Sequence, residues 1–166
     1  MTRLAVVGPT GAGKSRLCRY LAALGAEVVE ADRVGHDVLD LPPVRAQLVA
    51  AFGPAVVGAD GRVDRAALAA RVFAHPARRE KLDELTHPRL AAELARRLAA
   101  AQAPLVILEA AVYFLLPGPP PVDAVVAVVA SVMPVASPVG SFVVAPAVVE
   151  AVEVADIVAL PAVLVS

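Results

Sequence analysis

Residues 8–15 read Gly8-Pro9-Thr10-Gly11-Ala12-Gly13-Lys14-Ser15, and they fit G-x-x-x-x-G-K-[ST], the phosphate-binding loop or P-loop. The loop follows a short apolar run, Leu4-Ala5-Val6-Val7, which reads as a buried strand. It precedes a helical pattern with Leu17, Leu21 and Leu24 on one stripe. The motif therefore stands between strand and helix, the context its chemistry needs. Glycines let the backbone curl so that several N–H groups converge on phosphate oxygens, and the positive end of the next helix faces the same anion. Lys14 is placed to reach the β- and γ-phosphates, and the Ser15 hydroxyl to ligate Mg²⁺.

Composition sets the outer bounds. The chain has 166 residues, enough for one domain with a small inserted lobe, and a net charge of −1. That charge gives no global pull toward nucleic acid or an anionic membrane, and the arginines form no basic stripe. The one cysteine, Cys18, excludes an internal disulfide and fits a reducing cytoplasm; its place on the first helix reads as packing. The N-terminus lacks a signal-peptide layout, because its apolar run leads straight into the P-loop. His36 and His75 have no partners at metal-ligand spacing, so a zinc site is not expected. The sequence carries no signal for an oligomeric state.

Past the first helix, Gly25 reads as its C-cap, and Glu27-Val28-Val29-Glu30 as a second strand ending at Ala31-Asp32. An acid closing a parallel strand lies at the carboxyl edge of the sheet, where open α/β folds bind ligands. Residues 33–100 are helical in pattern. Val44, Leu48 and Phe52 fit one helix, Gly58–Gly61 a turn, and Asp64 an N-cap for residues 65–73. A longer helix is read as interrupted at Thr86-His87-Pro88 and resuming through Leu90, Leu94 and Leu98. Leu105-Val106-Ile107-Leu108-Glu109 is a third strand closed by an acid, either the second acidic motif beside Mg²⁺ or an ordinary strand end. Val125–Ala130 reads as a further parallel strand.

Several blocks then occur in a fixed order. Glu30-Ala31-Asp32 is followed by Ala51-Phe52-Gly53-Pro54, and then by Asp60-Gly61-Arg62-Val63-Asp64-Arg65. Arg71-Val72-Phe73 and Leu85-Thr86-His87-Pro88 complete the series. Over roughly the first 110–130 residues this order resembles the dephospho-coenzyme A kinases. The resemblance implies a P-loop kinase fold of the α/β class: a parallel sheet of about five strands flanked by helices, with a helical substrate lobe at 33–100. It also implies an activity, transfer of a phosphoryl group from ATP, with Mg²⁺, to the ribose 3′-hydroxyl of dephospho-coenzyme A. That reaction is the last step of coenzyme A biosynthesis.

By the same resemblance Asp32 is the base for the 3′-hydroxyl; its other reading is an N-cap for a helix starting at Arg33. His87 and Arg89 lie on the substrate lobe. His87 either contacts substrate or packs beside Pro88, and Arg89 either pairs with the substrate pyrophosphate or is solvated. Gly8, Gly11, Ala12, Gly13, Lys14, Ser15 and Arg16 hold the nucleotide, and Ser15 and Glu109 the metal. The implied setting is a cytoplasmic enzyme with a small-molecule partner, without nucleic acid or membrane. Another small-molecule kinase, acting on a nucleoside, nucleotide or sugar acid, shares these features, as does a non-catalytic ATP-binding relative. A GTPase would carry an Asn-Lys-x-Asp-like motif, which is absent.

The chain also departs from the family pattern. Arg16 replaces a usual Thr, Glu30 replaces the first Asp of Asp-Ala-Asp, and the stretch after Glu109 lacks the usual later Glu. All Lys and Arg residues fall between Arg3 and Arg97, so no arginine stands where the family has its lid. Val and Ala dominate residues 122–166, which include a likeness to the family's last strand at Ala155-Asp156-Ile157-Val158. Three readings of that tract stand side by side. It is a membrane span, against which Pro134, Pro138, Gly140 and Pro146 argue, or the core of an enzyme without its lid, or a stretch that does not follow the gene. An intact mass of 17.0 kDa would exclude the last.

Overall fold

In the computed structural model, backbone is described for residues 1–73, 75–128, 141–145 and 150–153, and side chains for residues 1–73 and 75–128. The Ala155–Val158 strand, the lid region and the end of the strand at 129–130 lie outside the described residues.

Strand β1 (Thr2–Val7) enters the P-loop and helix α1 (Lys14–Ala23) leaves it. Strand β2 (Glu27–Glu30) runs directly into helix α2 (Ala31–Leu39), and helix α3 (Pro42–Phe52) follows. A 3₁₀ turn at Pro54–Val56 leads to helix α4 (Arg65–Val72), and then to helix α5 (Pro76–Ala100). Strands β3 (Leu105–Glu109), β4 (Ala124–Val128), β5 (Ser141–Ala145) and β6 (Glu150–Glu153) complete the order.

The sheet order is β2-β3-β1-β4-β5-β6. The first four strands are parallel, and β5 and β6 each run antiparallel to the neighbour before them. The observed architecture is that of a P-loop α/β fold: four parallel strands, where about five were expected, extended by the antiparallel pair. Ala5, Val6, Val7, Val106, Ile107 and Leu108 are all buried. Such continuous apolar runs suit parallel strands covered on both faces.

The chain falls into two units. The first comprises residues 1–30, 97–113 and 121–166; the second comprises 31–96 and 114–120. In the first, Leu17, Cys18 and Leu21 of α1 pack with Val6, Ile107, Val126 and Val128 of the sheet. Leu24, read from spacing as part of that stripe, is exposed instead, because α1 has already ended. The Ala26 amide returns to the Leu21 carbonyl at 3.0 Å and the Gly25 amide to Ala22 at 3.0 Å, a Schellman closure that turns the chain away.

The second unit is helical and has its own buried residues, among them Val34, Val38, Val44, Leu48, Leu68 and Leu94. Two sequence expectations are corrected here. The chain turns helical at Ala31, not Arg33, because Ala31, Val34 and Val38 recur at helical spacing and are buried. Helix α5 is continuous through Pro88. The proline removes one amide from the ladder, and the turns on either side carry the helix across the gap. Among the described residues no helix is long and apolar enough to cross a membrane.

Candidate active site

The P-loop begins where β1 ends. Gly8 has φ 141° there, and a Cβ added to it would stand 2.2 Å from the Val128 carbonyl oxygen of β4. Only glycine fits both the conformation and the space. Gly13, at φ 103°, is the N-cap of α1, and its carbonyl accepts from the amides of Arg16 at 3.0 Å and Leu17 at 3.1 Å. The first amides of α1 have no acceptor within the helix, and with the helix dipole they form an anion seat. Lys14 Nζ donates to the Pro9 carbonyl at 3.0 Å, which holds the ammonium against its own loop. Ala12 donates to the same carbonyl at 3.2 Å. Gly11 and Arg16 are exposed along the loop and the first turn.

Parallel pairing of β1 with β3 sets Glu109 beside Val6, two residues before the P-loop. The consequence is a contact across the sheet edge: Ser15 Oγ donates to Glu109 Oε1 at 2.6 Å. The hydroxyl hydrogen is thereby committed to the carboxylate, and the oxygen keeps lone pairs for a cation. Oxygen donors of this kind suit Mg²⁺, which keeps much of its water and the phosphate oxygens as ligands. Among the described residues no cluster of three His, Cys, Asp or Glu is placed to hold a metal alone. Strand pairing also sets Glu30 in register with Glu109. The sequence showed Glu30 at the end of the second strand and as a departure from a motif; two neighbouring parallel strands that both close in an acid is the signal for this pairing.

Cys18 lies one turn after Ser15 on α1 and is a buried thiol. Burial pushes it up to about 12, and the nearby Glu109 carboxylate adds to the shift. It is therefore a neutral thiol, not a nucleophile.

The other residues singled out from sequence belong to the second unit. Asp32 is exposed in the first turn of α2, where a carboxylate is favoured by the helix dipole. It is inside the helix, neither a strand end nor an N-cap. On α5, His87 Nε2 stands 3.4 Å from Asp83 Oδ1, one turn earlier, and its side chain is 15% exposed. Arg89 is exposed. Asp64 caps α4, accepting from the Ala67 amide at 3.0 Å.

Residues 3–132 match the family model described as CoaE, dephospho-CoA kinase. The chain belongs to the dephospho-CoA kinase family. Its similar relatives include the dephospho-CoA kinase of Methylococcus capsulatus, 47% identical over 97 residues, which covers 58% of this chain and 49% of that protein. That of Corynebacterium glutamicum is 38% identical over 104 residues, covering 62% and 53%. The chain thus spans about half the length of the curated relatives it matches. Among solved structures, TT1252 from Thermus thermophilus superposes with a TM-score of 0.64 at 31% identity, over 78% of this chain and 66% of that one. The dephospho-CoA kinase from Campylobacter jejuni gives a TM-score of 0.54 at 21% identity over 66% and 58%, a likeness of fold.

Proposed function

We propose that this chain transfers the γ-phosphoryl group of ATP to the ribose 3′-hydroxyl of dephospho-coenzyme A, giving coenzyme A and ADP. The observation that carries the reading is the 2.6 Å Ser15–Glu109 contact at the mouth of a P-loop, in a chain of this family. Ser15 would supply the protein's oxygen ligand to Mg²⁺, and Glu109, which accepts from that hydroxyl, would orient it. The ion, when bound, neutralises charge on the β- and γ-phosphates. The backbone from Gly8 to Gly13 and the start of α1, to Arg16, seat the phosphates. Lys14 exchanges the Pro9 carbonyl for a phosphate oxygen.

Asp32 is the base in this reading. Its carboxylate accepts the hydrogen bond of the 3′-hydroxyl, and takes the proton as the oxygen–phosphorus bond forms and the bond to ADP breaks. Arg89 is the cation for the substrate's pyrophosphate, and His87, braced by Asp83, flanks it. The reaction belongs to the cytoplasm, in keeping with a chain whose one cysteine has no intrachain partner.

ADP release with ATP and Mg²⁺, across a panel of dephospho-coenzyme A, nucleosides, nucleotides and sugar acids, tests the proposal. Release that depends on dephospho-coenzyme A and falls by about 10²–10⁴-fold in Asp32→Ala is expected for loss of a general base. Release driven better by another acceptor, or by none, contradicts it.

A further inference from the structure

Helix α2 carries more than Asp32. His36 and Asp40 follow at successive intervals of four residues, so the three lie along one side of the helix and its end. The rise from Asp32 to Asp40 is about 12 Å. His36 and Asp40 line a cavity of about 310 Å³, whose opposite wall is the turn bearing Asp60 and Arg62 together with Arg65 at the start of α4. The whole recess lies within the second unit.

One carboxylate ties the two walls together. Asp40 Oδ1 accepts from the Val63 amide at 2.8 Å, and Oδ2 accepts from Arg62 Nε at 2.9 Å and Nη2 at 2.7 Å. An exposed ion pair alone contributes little, and Arg62 is mostly exposed. The backbone amide changes the balance, because it fixes the turn itself rather than a mobile side chain. The turn is also held by Arg45 Nη1 on the Gly61 carbonyl at 2.6 Å, and it leads directly into the Asp64 cap of α4. Arg65, the first residue of α4, directs Nη1 to His36 Nδ1 at 2.9 Å. A guanidinium only donates, so Nδ1 is the acceptor. The separation of the walls and the aim of Arg65 therefore follow from where Asp40 holds Val63.

We propose that Asp40 is a positioning residue for the acceptor substrate: it sets the width of a recess that starts one helical turn from Asp32 and receives the part of the acceptor remote from the reacting hydroxyl. The inference rests on the reading of Asp32 given above. Misplacing a substrate by about 1 Å is enough to cost of order 10²-fold in rate, so a wall that shifts by that much is felt in catalysis.

Two variants test it. Asp40→Asn keeps an oxygen for the Val63 amide and loses the charge that holds Arg62; Asp40→Ala loses both. The expected result is a graded rise in KM for dephospho-coenzyme A, about threefold for Asn and about tenfold or more for Ala, with KM for ATP unchanged in each. Calorimetric affinity for dephospho-coenzyme A falls in the same order. A purely structural role would instead lower apparent kcat and leave both KM values unchanged, in step with a lowered melting temperature. That pattern, or an unchanged acceptor KM in both variants, overturns the proposal. Wild-type protein that neither binds nor phosphorylates dephospho-coenzyme A would defeat the parent reading, and this inference with it.

Discussion

At the scale of single residues, geometry at the P-loop is set by what each position has room for. Gly8 is the clearest case, because any side chain would press on the Val128 carbonyl in a conformation that L-residues avoid. Gly8→Ala is expected to destabilise the protein by about 3 kcal/mol or more, read from urea unfolding, since the steric and backbone costs add. Glu109 sits at a second tight point, in contact with Ser15 and near the buried Cys18 thiol. In native protein at pH 8, Cys18 should resist iodoacetamide, and it should react once the chain is unfolded in urea. Rapid native labelling would contradict the burial that raises its pKa. In Glu109→Gln, where the neighbouring negative charge is gone, the thiol pKa should fall, visible as thiolate absorbance appearing at lower pH.

At the scale of elements, the site depends on where strands end and helices begin. Parallel register carries Glu109 to Ser15, and this was largely legible: an apolar run closed by an acid, beside a P-loop strand, predicts such an edge. The start of α2 was not legible in the same way. Glu27–Glu30 flows into helix without a breaker, so periodicity alone did not separate the strand end from the first helical turn. Pro88 misled in the other direction. A proline argues for interruption, but Leu90, Ala91, Leu94 and Leu98 bury the following turns and keep α5 whole. The Asp40 clamp was invisible in sequence because it joins positions more than twenty residues apart. Its carboxyl lies below the usual carboxylate range, first through the Val63 amide and then through Arg62. A folded-state pKa below the unfolded one adds stability that is fully present above the unfolded carboxylate value. That stability is lost as pH falls through the folded value. The stability gap between wild type and Asp40→Asn, measured by urea unfolding, should therefore be constant near neutrality and close below about pH 4. A gap that widens in acid would contradict the assignment.

At the scale of the whole molecule, the resemblance, the family match and the described side chains all cover about the same stretch, the N-terminal three-quarters of the chain. There the sequence carried the fold well, because the P-loop, the acid-closed strands and the Asp64 cap are local signals. Beyond Arg97 the sequence has no Lys or Arg. The activity we propose for this scaffold is phosphorylation of dephospho-coenzyme A at its 3′-hydroxyl, with Asp32 as the base. The direct measurement is mass spectrometry of the product after incubation of the purified chain with ATP, Mg²⁺ and dephospho-coenzyme A, beside Asp32→Ala. Coenzyme A is expected in the wild-type reaction, and its near absence in the variant. Bound ATP with no coenzyme A formed, or equal yields from both proteins, would contradict it.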